Sequence, residues 1–360
     1  MRILHIITSL NIGGAEKLMV DLLPRLKEKG VDVEILLLVG KKTMFYEQLE
    51  KNGVKIHTFS EQGNVYNPKH LFSLYRFLKK NKFDIIHTHN TAPQIFAAIA
   101  SILLPLKLVT TEHSTDNRRR DLRWYKIIDK WMYDRYSRVI SISDAAHNNL
   151  ISYLGIKNTT RKFSVVYNGV DVDKYANAVG THANDSQKKI VTMVAGFRYQ
   201  KDQDTLIKAC SLLPKEDYEL WLVGDGERRK ELVALVNKLA LQANVKFWGN
   251  RNDIPEILKS SDVNVMSSHI EGFGLSAVEG MAAGKPFIAS NVEGLCDIVE
   301  GAGKVFEHGD HVQLANLITE LLEHPVLYDK VASQCFSKSR QYDISKMVDG
   351  YMSVYQNLLT

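Results

Sequence analysis

The chain has 360 residues, 45% of them hydrophobic, and a formal net charge of +5. This length suggests two domains, and the hydrophobic content suffices for a core in each, which excludes a disordered or fibrous protein. Lysine and arginine outnumber aspartate and glutamate by 27 to 17 in residues 1–180, whereas residues 181–360 hold 19 basic and 24 acidic residues. The halves are therefore expected to meet different partners, and composition leaves nucleic acid, an anionic membrane and a charged substrate open for the basic half.

Three cysteines are scattered along the sequence without CxxC or metal-ligand spacing: Cys210, Cys296 and Cys335. This pattern argues against a disulfide framework and for a reducing compartment, so we expect the protein in the cytoplasm. The opening run MRILHIITSLNIGGAE is too short to span a bilayer and enters a Gly-Gly turn without a cleavage site. We interpret it as a buried strand rather than a signal peptide.

The first half of the chain alternates short β-rich apolar runs with helical patterns. The runs are RILHIITSL, VDVEILLLVG, FDIIHTH, KLVTTEH, RVISIS and FSVVYNG. Such alternation is typical of βαβ units in a parallel sheet, so we predict an α/β, doubly wound, Rossmann-like domain over residues 1–176.

A second pattern of the same kind follows a polar segment. THANDSQ is rich in turn formers and predicts a linker over residues 177–188. Strands at KIVTMVAGF, YELWLVGDG, VKFWGN, DVNVMSS, KPFIAS and GKVFE then predict a second Rossmann-like domain over residues 189–342. Ligands bind at the carboxyl ends of such strands, so two sheets facing each other would form a central cleft.

The last segment, DISKMVDGYMSVYQNLL, predicts a helix with one apolar face. Ile344, Met347, Val348, Tyr351, Met352 and Tyr355 recur at helical spacing. Such a stripe must pack against something, and we expect this helix over residues 343–360 to return to the first domain.

The segment EGFGLSAVEG combines a glycine-rich turn, a helix start and two carboxylates. Gly272 and Gly274 let the backbone approach a ligand, and the free amides of a helix that begins near Leu275 favour a phosphate group. Glu271 before the helix and Glu279 one turn inside it can accept hydrogen bonds from sugar hydroxyls. The alternative is a surface acid followed by an acid that stabilises the helix dipole.

Cationic and imidazole side chains follow other predicted strands. Arg198 and Lys201 in VAGFRYQKDQD precede a helix that Asp202 or Asp204 can cap, where a diphosphate would lie, although such a pair is often only a solvated face. His113 ends the strand of TTEHST, where it is either an active-site group or a structural histidine.

Three further segments have both a functional and a structural interpretation. His87 and His89 are spaced for metal binding but lack an evident third ligand, so a structural or acceptor-side role is favoured. The turn at Gly13 and Gly14 either approaches a phosphate or is a tight connection. The acid pair Asp171 and Asp173 is interpreted as domain-exit structure.

Together these segments resemble glycosyltransferase family 4, the retaining nucleotide-sugar-dependent enzymes of the GT-B fold. The most specific likeness is E-x7-E, Glu271 and Glu279, within DVNVMSSHIEGFGLSAVEGMAAGKPFIASNVEG. GGAEK, TEHS, SISD, VVYNGVD and QKDQDTLI follow in the family's order, so the likeness covers nearly the whole chain. One departure is Gly196, where the family commonly has an arginine, and Arg198 is a candidate replacement.

The resemblance implies a role for each candidate residue. It makes His113, Glu271 and Lys201 catalytic, with Glu271 on the donor-sugar hydroxyls, Glu279 on the ribose, and the base near Gly249, Asn250 and Arg251. The implied donor-binding set is Gly13, Gly14, Arg198, Lys201, Asn250, Gly272, Phe273, Gly274, Leu275, Ser276 and Glu279. It also implies a first domain on the acceptor side, no metal and no cofactor beyond the nucleotide sugar, for which a UDP-sugar is expected.

The resulting hypothesis is a retaining hexosyl- or N-acetylhexosaminyltransferase that acts in bacterial surface polysaccharide synthesis on a glycan or polyprenyl-linked acceptor. The alternatives are a nucleotide-sugar 2-epimerase of the same fold and a non-catalytic sugar-nucleotide-binding protein. Basic and aromatic residues interleave over residues 118–138, which suits an anionic membrane at the inner face of the cell membrane, or equally a solvated helix with core aromatics. No nucleic-acid partner is expected.

Overall fold

The computed structural model describes residues 1–11, 13–113, 120, 124–156, 161–181 and 188–360. It divides into two compact units. The first contains Met1–Asn168 and Ile344–Thr360, and the second contains Gly169–Asp343. The sequence patterns predicted the boundaries between the domains after residues 176 and 342 instead. Residues 182–187 of the predicted linker lie outside the described residues.

The first unit is a parallel sheet with helices on both faces, as predicted. Its strand order is β3-β2-β1-β4-β5-β6-β7. The elements in chain order are β1 (Arg2–Ile7), α1 (Gly14–Glu28), β2 (Asp32–Leu37), α2 (Met44–Lys51), β3 (Lys55–Thr58), α3 (Pro68–Lys80), β4 (Ile85–His89), α4 (Thr91–Ala100), β5 (Leu108–Glu112), α5 (Tyr125–Asp134), β6 (Arg138–Ser141), α6 (Asp144–Leu154) and β7 (Phe163–Val165).

Both faces of the first sheet are covered, which explains its continuous apolar strands. Alternate residues of β1 belong to different core clusters: Ile3 and Ile7 pack with α1, whereas Leu4 and Ile6 pack with α4. Strand β3 was not predicted, because it is a short edge strand whose residues are exposed or half-buried and which includes a lysine and a histidine.

The last helix, α15 (Ile344–Leu359), completes the core of the first unit. Its predicted stripe is confirmed, since Ile344, Met347, Val348, Tyr351 and Tyr355 are all buried in the cluster that contains Ile3 and Ile7, with Met352 partly buried against it. The helix therefore covers one face of the first sheet.

The second unit is also a doubly wound parallel sheet, with order β10-β9-β8-β11-β12-β13. A 3-10 turn (Tyr199–Lys201) follows β8, and a second (Arg340–Tyr342) ends the unit. The other elements are α7 (Val172–Ala176), β8 (Lys189–Val194), α8 (Gln203–Cys210), β9 (Tyr218–Val223), α9 (Arg229–Lys238), β10 (Val245–Gly249), α10 (Ile254–Ser260), β11 (Val263–Met266), α11 (Leu275–Ala282), β12 (Phe287–Ser290), α12 (Cys296–Val299), β13 (Lys304–Phe306), α13 (His311–Glu323) and α14 (Pro325–Ser339).

Candidate functional site

The candidate site of the second unit lies where its strand order reverses. Strands β8 and β11 are neighbours in the sheet although two strands separate them along the chain, and the loops after them leave the same sheet edge. Ligands of doubly wound sheets bind at this switch point. The loop after β8 carries Arg198 and Lys201, and the loop after β11 carries Glu271.

An ion pair joins the two loops. The Lys201 ammonium donates to Glu271 Oε2, and the two side chains are 25% and 13% exposed. The partners are 70 residues apart in sequence, so the pairing is a result of the fold. It brings together two of the three residues predicted to be catalytic.

The backbone holds the two loops in register. The amide of His269 donates to the carbonyl of Gln200 at 2.9 Å, and the Ser267 hydroxyl donates to the carbonyl of Asp202 at 2.7 Å. Asp202 has a left-handed φ of 48° and caps helix α8 by accepting from the amide and hydroxyl of Thr205. Because both loops are tied to buried elements, the Lys201–Glu271 pair is positioned before any ligand arrives.

Helix α11 begins next to this pair. Its N-cap, Gly274, has φ +87° and supplies no side chain to cap the first amides. Within the described residues, the backbone amides of Leu275 and Ser276 have no hydrogen-bond acceptor. Free amides and the positive end of the helix dipole form an environment that favours an anion beside Lys201.

The turn before α11 depends on close backbone contact. Gly294 has φ +81°, and a Cβ atom there would stand 2.6 Å from the carbonyl oxygen of Glu271 and 3.1 Å from that of Gly272. Phe273 is buried, and its ring packs edge-on against Tyr342 with centroids 5.4 Å apart. A side chain at residue 294 would displace the Glu271 turn, and sequence analysis did not identify this glycine.

The other acid of the E-x7-E pattern lies inside the helix. Glu279 is the fifth residue of α11 and is only 8% exposed. After β10, Asn250 is exposed and Gly249 has φ +67°. Arg251 binds the carboxylate of Asp253 and lies over the Trp248 ring, 5.3 Å from its centroid. The structure therefore places Asn250 and Glu279 in the second unit without assigning either a ligand.

Arg198 occupies the space next to Gly196. Arg198 is exposed, and its Nε atom lies 3.9 Å from the point where a Cβ atom on residue 196 would stand. Of the two predicted caps, Asp202 caps α8, whereas Asp204 binds Arg228 through both oxygens at 2.5 and 3.1 Å. Arg198 itself has no ion pair within the described residues.

In the first unit, the Gly-Gly turn leads from β1 into α1. Gly13 is the N-cap of α1 with an extended backbone, φ −172°, and a Cβ atom there would meet the flexible side chain of Glu16. A Cβ atom on Gly14 would meet no atom of the described chain within 4 Å. The fold therefore does not itself require glycine at residue 14.

His113 follows β5 and is partly buried. Its Nε2 atom lies 2.9 Å from Nδ1 of His89, and burial lowers the pKa of His113 to about 4. The imidazole is therefore neutral at physiological pH. His89 and His87 are fully buried, together with His5 from β1, the nearby third histidine that the sequence did not reveal.

Asn90 is another residue that the sequence analysis missed. It lies after β4, next to the first unit's switch point between β1 and β4, with φ 68° and ψ 162°. This conformation is almost restricted to glycine, and such strain accumulates at functional sites. The side-chain amide of Asn90 donates through Nδ2 to the Thr8 hydroxyl at 3.0 Å, which bridges the loops after β4 and β1. The only sequence signal was an asparagine directly after a strand.

Among the residues that the structure describes, two groups of side chains converge closely enough to hold a metal ion: His5, His87 and His89, and the second unit's Asp202, His269 and His308. All six ring nitrogens of the first group have hydrogen-bond partners. In the second group, Asp202 is committed to its helix cap. Asp171, of the acid pair interpreted as domain-exit structure, caps α7, and Asp173 pairs with Arg340 at 3.3 Å.

Comparison with known proteins agrees with this architecture. Two protein-family models match the sequence. The model described as Glycosyltransferase Family 4 matches residues 12–174, and the model described as Glycosyl transferases group 1 matches residues 177–338. An Escherichia coli protein named UDP-Gal:alpha-D-GlcNAc-diphosphoundecaprenol alpha-1,3-galactosyltransferase is 30% identical over 313 residues, which cover 81% of this chain and 80% of the relative. The N-acetyl-alpha-D-glucosaminyl L-malate synthase of Bacillus anthracis is 25% identical over 366 residues, 97% of this chain and 95% of the relative.

Solved structures show the same fold. HepE from Anabaena, in complex with UDP-glucose, has a TM-score of 0.85 at 24% identity, covering 99% of this chain and 100% of HepE. Sucrose-phosphate synthase from Thermosynechococcus elongatus has a TM-score of 0.81 at 18% identity, covering 99% of this chain and 98% of that one. At these identities the likeness establishes the architecture alone. The predicted family and fold class are confirmed: the chain belongs to glycosyltransferase family 4 and is a glycosyltransferase of the GT-B type.

Proposed function

We propose that this glycosyltransferase moves a hexosyl or N-acetylhexosaminyl group, with retention of anomeric configuration, from a nucleotide-diphosphate sugar to a glycan or polyprenyl-linked acceptor. The observation that carries the proposal is the Lys201–Glu271 pair at the β8–β11 switch point, beside the uncapped N-terminus of α11. A cation and free amides suit a diphosphate, and a neighbouring carboxylate suits sugar hydroxyls.

Chemically, the barrier is the cleavage of the bond between the anomeric carbon and the diphosphate oxygen. Positive charge grows on the sugar and negative charge on the leaving group, so groups already aimed at the diphosphate give the largest stabilisation. Lys201, Arg198 and the α11 amides are assigned this role. When the donor binds, the Lys201 ammonium pairs with the diphosphate instead of with Glu271. The Glu271 carboxylate then accepts hydrogen bonds from the sugar hydroxyls.

Retention follows if the acceptor hydroxyl attacks from the face that the leaving group vacates. A donor phosphate oxygen then takes the acceptor's proton, so that no protein nucleophile is required. Glu271 is accordingly a positioning acid for the sugar. Glu279 is assigned to the ribose, Asn250 to the base pocket, and His113 to the donor sugar, each following the family pattern.

The donor is proposed to be a UDP-sugar and the process bacterial surface polysaccharide synthesis in the cytoplasm. Support comes from the E. coli relative, whose name specifies UDP-Gal and a diphosphoundecaprenol-linked acceptor. No metal is required in this proposal, because the cations and helix amides supply the positive charge at the leaving group.

The experiment that tests the function is a thermal-shift screen of purified protein against UDP-, GDP- and ADP-sugars, followed by product analysis with the best stabiliser. A retaining transferase hydrolyses the donor slowly and transfers the sugar with retained configuration when an acceptor is added, with and without chelator. Epimerised sugar formed without acceptor would identify an epimerase, and binding without turnover would identify a binding protein. Loss of activity in chelator would refute the metal-free mechanism.

The turn at Gly14 gives a prediction that separates binding from folding. Gly14→Ala is expected to leave the melting temperature unchanged or slightly higher, because alanine favours a helix start by up to about 1 kcal/mol and meets nothing within 4 Å. If the turn approaches the donor phosphates, KM for the donor rises about fivefold or more. Gly30→Ala is the control: at φ +80° it loses stability and leaves KM unchanged. An unchanged donor KM in Gly14→Ala would exclude Gly14 from the donor site.

Membrane contact through residues 118–138 is proposed in a narrower form than the sequence suggested. No described helix is long and apolar enough to cross a bilayer. Tyr133 is buried and Trp131 packs against the core, and Arg120 is buried in an ion pair with Glu112 at 2.9 Å. Tyr133 and the Arg120 side chain are therefore withdrawn from a lipid surface, and Trp131 is only partly exposed. Arg118, Arg119 and Arg123 lie outside the described residues.

A smaller apolar surface remains exposed around α5. Trp124 is 56% and Ile127 is 74% exposed, and Lys126 and Lys130 belong to the same segment. Ile127→Ser is expected to reduce the fraction of protein that floats with anionic liposomes at low salt by at least about threefold. The reason is that it removes apolar surface that the lipid would bury. Phe72→Ser, on the exposed face of α3, is the control. Binding that is independent of anionic lipid, or equal in both variants, would remove the membrane assignment.

A further inference from the structure

A chain of buried hydrogen bonds runs through the first unit from His113 to helix α15. It consists of four imidazoles and three hydroxyl groups that come from β1, β4, β5, the loop after β5, and α15. Six of these residues are at most 1% exposed: His5, His87, His89, Thr111, Tyr351 and Tyr355. Neither the proposed mechanism nor the apolar core explains why so many polar groups are buried together.

The contacts form one continuous series. In order, they are His113 Nε2 to His89 Nδ1 (2.9 Å), His89 Nε2 to His5 Nδ1 (3.0 Å), His5 Nε2 to the Tyr355 hydroxyl (3.5 Å), that hydroxyl to His87 Nδ1 (2.6 Å), His87 Nε2 to the Thr111 hydroxyl (2.8 Å), and that hydroxyl to the Tyr351 hydroxyl (3.2 Å). Every ring nitrogen of His5, His87 and His89 is engaged.

All four imidazoles are neutral. Burial lowers the pKa of His5 to about 3, and burial likewise moves the pKa values of His87 and His89 well below their usual range. With the pKa of His113 at about 4, each ring carries one proton at neutral pH. A neutral imidazole has one donor nitrogen and one acceptor nitrogen, so fixing one tautomer fixes its neighbours.

Tyr355 determines which group is the donor in each hydrogen bond of the series. Its hydroxyl has one proton to donate, to His87 at 2.6 Å or to His5 at 3.5 Å. The shorter contact lies within the range of a hydrogen bond donated by a hydroxyl group, whereas the longer one lies at the outer limit of hydrogen-bond length and is the weaker of the two, so the hydroxyl proton is assigned to His87. Donation to His87 leaves His5 as the donor to Tyr355, which requires a proton on Nε2 of His5.

The remaining protons follow in sequence. His5 Nδ1 then accepts from Nε2 of His89, and His89 Nδ1 accepts from Nε2 of His113. Within the described residues, Nδ1 of His113 has no hydrogen-bond partner. With this order of donors and acceptors, Nδ1 of His113 carries a lone pair. If donor and acceptor were exchanged in every hydrogen bond of the series instead, Nδ1 would carry a proton.

We propose that Tyr355, His5 and His89 are positioning residues that hold His113 as the Nε2-protonated tautomer, with Nδ1 available to accept a hydrogen bond from a substrate hydroxyl. The assignment of that hydroxyl to the donor sugar or acceptor rests on the proposed function; the tautomer does not. Helix α15 thereby determines a property of His113 from a position 242 residues away along the chain.

A metal ion is the other use for such a cluster, since ligand atoms of His5, His87 and His89 lie within 4.8 Å of one another. Binding would require these nitrogens to exchange existing hydrogen bonds for the metal. The hydrogen-bond chain accounts for all of their donors and acceptors without one.

The direct test is nitrogen NMR of the 360-residue protein with 15N-labelled histidine. We expect the His113 spectrum of the wild type to show a protonated Nε2 and an unprotonated Nδ1. Tyr355→Phe removes the group that sets the direction, and a mixture of tautomers is expected. Tyr351→Phe is the matched control, because it lies on the same helix, is equally buried and leaves the His87–Thr111 contact intact. A protonated Nδ1 in the wild type, or an unchanged tautomer in Tyr355→Phe, would overturn the proposal.

A second pair of variants guards against misfolding of Tyr355→Phe. His89→Gln supplies an amide donor and acceptor in place of the two ring nitrogens, whereas His89→Leu supplies neither. We expect His89→Gln to keep the wild-type tautomer and a kcat within about threefold of it, and His89→Leu to lose about tenfold or more in kcat with little change in donor KM. Equal effects of the two variants on the His113 tautomer would indicate a merely structural role. If His113 has the predicted tautomer but the protein neither binds nor turns over a nucleotide sugar, the proposed function is wrong and the tautomer proposal stands.

Discussion

Replacing Glu271 with glutamine is expected to lower sugar transfer by about ten- to a hundredfold while the protein stays folded. The substitution keeps the shape of the side chain but removes the charge that accepts from Lys201 and, in the proposed mechanism, from sugar hydroxyls. A hydrogen bond to a charged group contributes about 1.5–3 kcal/mol, and each 1.4 kcal/mol in the barrier changes the rate about tenfold.

Stability cannot account for a loss of that size. The Lys201–Glu271 pair is partly exposed, and such pairs contribute at most about 1 kcal/mol to folding. Lys304 and Glu320, 3.3 Å apart in the same unit, form a matched control pair. Glu320→Gln should leave both turnover and melting temperature nearly unchanged.

The same measurement extends to Glu279 and Lys201. Glu279→Ala is expected to lose about tenfold or more in activity, and Lys201→Ala at least as much, because it removes a cation from the leaving group. Losses in Lys201→Ala and Glu271→Gln should combine less than additively, since the residues act together. A folded Glu271→Gln enzyme with wild-type turnover would refute the assignment of the site.

The second large effect is expected in product binding. Arg198→Ala should weaken UDP binding about 10- to 150-fold, the equivalent of about 1.5–3 kcal/mol, and Arg198→Lys should recover only part of it, because a guanidinium can hold a phosphate through two parallel bonds. Isothermal titration of UDP into each variant measures both effects. Arg229→Ala, with a partly exposed guanidinium 3.6 Å from Asp225, is the control.

Gly196 allows the arginine to be moved rather than only removed. A Cβ atom at residue 196 meets only ordinary contacts, at 3.8 and 3.9 Å, so the backbone there does not exclude a side chain. Gly196→Arg in the Arg198→Ala background should restore most of the UDP affinity if the guanidinium of Arg198 covers the same space. Unchanged affinity in Arg198→Ala, together with a large loss in Lys201→Ala, would leave Lys201 as the cation on the phosphates.

Local sequence patterns were sufficient for most of the fold. Twelve of the strands were predicted as apolar runs between helical patterns, and β3 was missed because an edge strand needs no apolar alternation. The E-x7-E spacing correctly placed Glu271 before α11 and Glu279 within it. Periodicity and spacing act over a few residues, which is the range that these features occupy.

Contacts between distant segments could not be predicted in this way. The Lys201–Glu271 pair and the chain from His113 to Tyr355 exist because strands far apart in sequence are neighbours in a sheet. For the same reason, residues 118–138 gave an ambiguous signal. Their pattern did not show that Tyr133 and Arg120 would be buried against Glu112 while Trp124 stayed exposed.

Helix α15 also has a consequence for the synthesis of the protein. The first sheet is translated before the second unit, but the helix that covers one of its faces is translated after it. On the ribosome, the second unit can therefore complete its core while apolar residues such as Ile3 and Ile7 still lack their final cover. Nascent chains must keep that face from aggregating until α15 emerges, which makes the first unit the natural client for a chaperone that binds exposed hydrophobic surface.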